Sequence, residues 1–445
     1  MDATLIEIRA ALESNRIEDA IASLTRLHPA DRADAFSDLK DQEQLTLLPE
    51  LDIEEAADIL EELEDDEAAD VAESLSTAYL ADLLDAMEPD EAADVLGDLS
   101  PEMAARAIAE MEGAEVVIPL LSYPDETAGG LMTTAVLSLS PHKTALEAFE
   151  ILRTEIPGSD IPYYLYVVDE DKKLMGVVGL RDLIVAQPET VVQDFMDPDV
   201  HYATTEMDQE DVAHMMVRYD LAALPVVSDD GVLWGVITHD DSMEVLEEEA
   251  TEDIYRLANV SDADLSIDSS IGLSVKRRLP WLFLSALTAL FASWVITRFE
   301  SIIAQVALLA AFLSVVAGLG GNTATQSLAI IVRAIALGEI EFRYAWKTIL
   351  KESAIGLIDG IAVGLVVGVG VYLWTDNYII GIVLCLALIV NMFVAAIVGT
   401  LVPLFLKAIG QDPALASSVV VTAITDSVGF AVFLSMAAYA LTVWG

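Results

Sequence analysis

The sequence predicts a multidomain membrane protein: an α-solenoid N domain, a tandem pair of α/β modules, a connecting helix and an all-α transmembrane domain of five helices. Three observations carry this reading. Residues 1–130 repeat a short amphipathic unit every twelve residues, residues 133–250 hold two copies of a strand, strand and helix pattern 59 residues apart, and the composition turns apolar near residue 271. The charge turns with it. Residues 271–445 hold 8 of the 74 acidic and 9 of the 22 basic residues, which leaves 66 acids against 13 bases in residues 1–270. Nucleic acid is bound through Lys and Arg on its phosphates, so the acidic part is expected to meet cations and no nucleic acid.

The repeat shows as Ala57-Asp58, Ala69-Asp70, Ala81-Asp82 and Ala93-Asp94, with Ala105-Arg106 continuing it. Each unit is about one short helix, which cannot bury its apolar stripe alone and must stack on its neighbours. The exposed acids are then either a solvated face or a cation-binding surface. The N-terminal residues have neither a basic n-region nor a continuous apolar stretch, so no cleavable signal is expected and the acidic part is expected to stay in the cytoplasm. Cys385 is the only cysteine, which excludes a disulfide framework, a CxxC redox pair and a thiolate zinc site and leaves it a packing role.

In residues 133–250 the period becomes that of strands. Tyr164–Val168 and Leu174–Val178 read as strands followed by helix Leu180–Ala186, and Ala223–Val227, Leu233–Ile237 and His239–Leu246 repeat the order, each copy preceded by a helix (Thr144–Glu155 and Met207–Tyr219). This resembles a tandem pair of CBS domains, a family that binds adenine nucleotides or serves as a regulatory dimerisation unit. Gly235-Val-Ile-Thr-His-Asp-Asp241 is similar to that family's ribose and phosphate pattern, with Thr238 and Asp241 at the matching places and ATP the implied ligand. The first copy has Gly179 where a hydroxyl would sit.

Next come an acidic helix, Leu246–Tyr255, a polar stretch, and Lys276-Arg277-Arg278 at the edge of the first apolar run. Spans are expected near 279–297, 302–332, 353–375, 378–406 and 413–444, each long enough to cross a bilayer. With the N-terminus inside, the inner segments carry Lys276, Arg277, Arg278, Arg333, Arg343, Lys347, Lys351 and Lys407 and the outer ones only Arg298, which places the C-terminus outside. Five spans cannot form two equal inverted halves. A pore is therefore expected to be completed by a second subunit.

Three membrane features point to chemistry. Gly318–Ser327 holds Asn322, Thr323, Thr325 and Gln326 among glycines, a pattern for a pore lining or for helices glued by polar groups. Gly356, Gly360, Gly364 and Gly368 share one helix face and predict close packing of another helix, while Asp359 is expected to pair with a base near the inner edge. Asp426 is the only charge between Pro413 and Gly445, and an intramembrane carboxylate is a functional-site hypothesis by default. Mg²⁺ gives up its waters reluctantly and is usually met by one or two carboxylates, a pair that two copies of Asp426 would supply.

Taken together, the chain resembles the MgtE family of magnesium channels. The motifs are Tyr123-Pro-Asp-Glu-Thr-Ala-Gly-Gly-Leu-Met-Thr133, Glu249-Ala-Thr-Glu-Asp-Ile-Tyr255, Arg278-Leu-Pro-Trp281, Gly320-Gly-Asn-Thr323 with Gln326-Ser327, Arg333-Ala334, Trp346 with Lys351-Glu352, Asp412-Pro-Ala414 and Asp426. The resemblance implies a homodimeric inner-membrane Mg²⁺ channel with an N domain (1–130), CBS domains (131–195 and 196–250), a plug helix (251–277) and a transmembrane domain (278–445). It also implies Asp426 as the pore aspartate, with Asn322 and Glu352 as secondary contacts. Where the family has a small or amide residue followed by proline, this chain has Ser418-Val419, so a helix break there is expected to be absent or displaced. Self-repulsion among the acids, including Asp90, Glu91 and Asp94, Asp240 and Asp241, and Glu248, Glu252 and Asp253, is expected to make the cytoplasmic part a sensor that Mg²⁺ closes. Transport of Mn²⁺ or Co²⁺, and a non-conducting membrane-anchored CBS sensor, are the alternatives. No enzyme is expected, because none of the five histidines forms an HExxH-type arrangement.

Overall fold

The computed structural model describes residues 2–63, 65–155, 164–260, 270–340, 345–415 and 418–444. It divides into two compact units, Met1–Leu246 and Glu247–Gly445.

In the first unit, helices begin at Ile17, Pro29, Asp41, Ile53, Asp65, Thr77, Pro89 and Pro101, each twelve residues after the last. Proline at the first position of three of them has no N–H to leave unpaired, and Asp52 and Ser76 cap two others by accepting from Glu54 N and Tyr79 N. The repeating alanines Ala57, Ala81 and Ala93 are buried, and Asp58 and Asp82 beside them face solvent. Helix n packs chiefly on helix n + 2, as in Thr77–Leu84 on Pro101–Glu110, so the units form two parallel rows around one alanine and leucine core.

Each α/β copy is a three-stranded sheet. In the first, β1 (Ser138–Leu139) runs parallel to β2 (Tyr164–Val168), which pairs antiparallel with β3 (Leu174–Gly179); β4 (Ala203–Thr204), β5 (Ala223–Val227) and β6 (Leu233–Thr238) repeat this in the second. Lys173 pairs with Val232, its own counterpart in the second copy, so a local two-fold axis relates the two hairpins. The lead-in segments are exchanged: Thr133 bridges to Val236 and Asp197 to Val177. Gly176 and Gly235 allow this close approach, since a Cβ on Gly176 would stand 2.9 Å from the Asp197 carbonyl oxygen. The first copy keeps its own core around Leu165, Val167 and Val178. The solenoid core continues into the second copy through Ala203, Leu224, Val226 and Ile237.

Five helices of the second unit are long and apolar enough to cross a membrane: span 1 (Ile271–Thr297), span 2 (Leu308–Ala336), span 3 (Ala345–Thr375), span 4 (Tyr378–Ala408) and span 5 (Ser418–Trp444). Span 4 is the hub, packing on spans 2, 3 and 5. The glycine face of span 3 lies on it: a Cβ on Gly356 would stand 2.8 Å from Met392 O, on Gly360 2.9 Å from Ile389 Cα and on Gly364 2.9 Å from Cys385 O. Without a hydrophobic drive between helices in lipid, such backbone contact is the main source of association.

Several boundaries differ from the sequence reading. A short helix, Glu300–Gln305, precedes span 2, and the acidic helix is continuous from His239 to Leu257. Span 5 starts at Ser418 after a 3₁₀ turn at Pro413–Leu415, so the break precedes the helix; residues 416 and 417 lie outside the described residues. Asp359, one position before Gly360 of the glycine face, is exposed and makes no ion pair among the described residues. Arg343, one of the bases expected at the inner edge, lies outside the described residues.

Candidate cation sites

In span 5, Asp426 follows Thr422 by one turn, and its Oδ1 is buried without a hydrogen-bond partner among the described residues. It borders a cavity of about 230 Å³ lined by Asn259, Ser285, Thr288, Ala289, Val419, Thr422 and Ala423. Most of these polar groups are hydroxyls, which can both donate and accept, and no basic side chain lines the cavity. The polar stretch of span 2 divides by helix face. Thr323 and Ser327 are buried, with Thr323 Oγ1 donating to Leu319 O at 2.9 Å, whereas Asn322, Thr325 and Gln326 are exposed. Gly321 brings this stretch to span 5, its Cβ position 3.8 Å from Thr422 Cγ2. Glu352 of span 3 is buried and accepts a hydrogen bond from Ser327 Oγ at 3.2 Å, so its contact is with span 2.

A second group lies on the acidic helix. Arg256 bridges Glu252, one turn before it, and Asp412 of the segment between spans 4 and 5. Burial, with the Asp412 and Glu249 charges adding, pushes the Asp253 carboxyl up to about 6. Glu248 is exposed one turn before Glu252. Sequence reasoning passed over Arg256, although a single cation closing a run of acids from Glu247 to Asp253 was the available signal.

The third group joins the solenoid to the second α/β copy within the first unit. Asp90 is 7% exposed, and one of its oxygens has no partner among the described residues. Burial, with Asp241 adding, pushes its carboxyl up to about 7. Glu91 is pushed up to about 10 by burial, then by Asp90, Asp94, Glu244 and Glu61. After burial, the charges that raise this pair are those of other carboxylates. Asp241 is also raised by burial and by Asp240, against two bonds of 2.8 Å in which the Thr238 N–H and hydroxyl donate to its Oδ2. The Thr238 hydroxyl contacts Asp240 too, so the expected nucleotide pair is engaged with its own neighbours. A cavity of about 320 Å³ opens between the two copies, lined by Met175, Val200, Tyr202, Thr204, Ser228 and Asp229 among others, and Thr238 and Asp241 are not part of its wall.

Among the described residues no three His, Cys, Asp or Glu side chains converge as a direct metal cage. All three groups can instead meet an ion through its water shell or as pairs.

Residues 27–126 match the MgtE intracellular N domain, residues 128–189 and 192–247 the CBS domain, and residues 313–436 the MgtE divalent cation transporter domain. The magnesium transporter MgtE of Thermus thermophilus is 39% identical over 319 residues, 72% of this chain and 71% of that protein. The Bacillus subtilis magnesium transporter MgtE is 33% identical over 332 residues, 74% of this chain and 73% of that protein. The cytosolic domain of the Mg²⁺ channel MgtE, solved in complex with ATP, is 34% identical with a TM-score of 0.52, covering 54% of this chain and 99% of that one.

Proposed function

Because this chain belongs to the MgtE family of divalent cation transporters, we propose that it conducts Mg²⁺ as a homodimer of the inner membrane, with its N-terminus cytoplasmic and its C-terminus outside, and that cytoplasmic Mg²⁺ closes it. One observation carries the conduction: the unpartnered carboxylate oxygen of Asp426 at a hydroxyl-lined cavity, in a span with no base to neutralise it. A water needs about 10–15 Å³ of such cavity volume, so the cavity of about 230 Å³ has volume enough for the water shell of a hydrated Mg²⁺. Ser285, Thr288 and Thr422 can hydrogen-bond the shell while Asp426 supplies the charge that selects a cation. Asn322, Thr325 and Gln326 face outward at membrane depth, where lipid offers no hydrogen bonds, and a second subunit or pore water satisfies them. Glu352 serves the pathway through Ser327 on span 2.

The closing ions are assigned to two clusters of acids, the second of which already holds one cation, Arg256. Asp90, Glu91 and Asp94 against Asp240 and Asp241 form one such site, where Mg²⁺ displaces the protons that burial otherwise holds. Glu248, Glu252 and Asp253 of the plug form another, with Asp412. Moving a gate from mostly open to mostly closed takes about 5.5 kcal/mol, and one site tenfold above its dissociation constant supplies about 1.4 kcal/mol. Several weak sites acting together are required, and closure is cooperative in Mg²⁺. ATP is assigned to the CBS pair at Thr238 and Asp241, in line with the ATP complex of the related cytosolic domain.

Mg²⁺ flux into proteoliposomes tests the conduction. Asp426→Ala is expected to lower uptake at least 100-fold while leaving a folded dimer, and wild-type uptake by such a dimer would sink the assignment.

A further inference from the structure

Span 4 contributes one fully buried amide to the membrane unit. Asn391 has no exposed surface, its Nδ2 donates to Val316 O of span 2 at 2.9 Å, and its Oδ1 has no partner among the described residues. Two glycines on different helices make room for it. A Cβ on Gly320 would overlap the amide nitrogen, and one on Gly429 would stand 2.8 Å from both Nδ2 and Oδ1. Gly320 opens the Gly320-Gly-Asn-Thr323 stretch, and Gly429 follows Asp426 by about one helical turn. A single side chain of the hub helix is thus gripped between the two spans that carry the polar residues of the pathway.

Stability alone does not account for an amide here. A buried acceptor without a donor is destabilising, while an apolar side chain of the same shape would be neutral or better. The carbonyl of Val316 loses nothing essential by the exchange, since it lies within the continuous helix of span 2 and has its own backbone donor. What the amide provides is direction: its one hydrogen bond fixes the rotation of the side chain, and the two glycine contacts convert that rotation into a fixed spacing of spans 2 and 5.

We infer that Asn391 is a positioning residue of the conduction pathway, holding the Asn322 stretch and Asp426 at the separation that a hydrated Mg²⁺ requires; the inference rests on the pathway assigned above to Asp426. Asn391 touches no ion in this role. It acts through the register of two helices, and Gly320 and Gly429 are part of the same device.

Asn391→Leu keeps the heavy-atom count of the side chain and removes both polar atoms. Expected in full-length protein in proteoliposomes are a melting temperature at or above that of the wild type, Mg²⁺ influx reduced at least fivefold, and a Mg²⁺ over Na⁺ permeability ratio reduced at least threefold. Gly320→Ala alone is expected to lower flux by a similar factor, and Gly320→Ala with Asn391→Ala to regain at least half of it by restoring room. Wild-type flux and ion ratio in Asn391→Leu would overturn the inference, as would a flux loss that follows a fall in melting temperature with the ion ratio unchanged. Asp426→Ala, run in parallel, separates the two readings: if it conducts like the wild type the pathway itself is misplaced, and if it is silent while Asn391→Leu behaves as wild type only the positioning role fails.

Discussion

The two units of the chain bring helices together with small residues, but under opposite forces. In the solenoid, buried alanines let neighbouring helices close over leucines, and water drives the burial while acids cover the outside. In the membrane unit, Gly356, Gly360, Gly364 and Gly368 of span 3 touch the backbone of span 4, and no water is expelled by their contact. The difference teaches where a charge carries information. An exposed acid on the solenoid costs little, so most of the 66 acids before residue 271 need no special account. Asp90, Glu91 and Asp426 are different because each is drawn inward without a base.

The comparison is broken most severely at the glycine face. Gly364→Leu adds a side chain where Cys385 O already stands 2.9 Å from the Cβ position, and is expected to destabilise the membrane unit by roughly 3 kcal/mol. Gly97 at the end of a solenoid helix has open space around it, and Gly97→Ala is expected to be neutral or to stabilise by up to about 1 kcal/mol. Thermal melts of both proteins in detergent check the pair, and equal effects would remove the distinction.

A smaller effect is expected from pH. The folded Asp90 carboxyl is raised from 3.8 to about 7, so its contribution is fully present below pH 3.8 and is lost as pH rises through about 7. Between pH 5.5 and 8 the Mg²⁺-free protein should lose roughly 2 kcal/mol at this contact. Added Mg²⁺ should close most of that gap by taking the place of the proton, and Asp90→Asn should shrink it without Mg²⁺. Melting at both pH values with and without Mg²⁺ measures this, and a gap unaffected by both treatments would leave the buried acids outside the sensor.

The smallest expected change is at the plug. Arg256→Ala leaves Glu252 and Asp412 without their guanidinium, which on the proposed gating is expected to strengthen the attraction of that cluster for a divalent ion. Half-closure in patch recordings should move two- to fivefold toward lower Mg²⁺ at fixed ionic strength. A move in the other direction would show that Arg256 holds the closed form together.

The twelve-residue repeat, the duplicated sheets and the five spans were readable because each obeys a period that its fold imposes. Asp426 stands out in the sequence for a related reason, since a single charge in an apolar run has no local explanation, and its Oδ1 is buried without a partner among the described residues. Asn391 does not, since one amide in span 4 looks like any tolerated polar residue until Gly320 and Gly429, 71 and 38 residues away, are seen to meet it. Long-range pairing likewise hid the link of Arg256 to Asp412 and the burial of Asp90 against Asp241. Asp359 misled for the converse reason, because its helix position marks a depth but not which way it points.

The packing of each solenoid helix on the one two places further along makes the domain's length a matter of parity. Inserting or losing a single unit would send every later helix to the opposite row, carrying the helix of Asp90 and Glu91 away from Asp241. Adding or removing units in pairs returns each helix to its own row. Viable length variants of this domain should therefore come in even steps, and an odd one should survive only where the acids facing Asp241 have been rebuilt on a different helix.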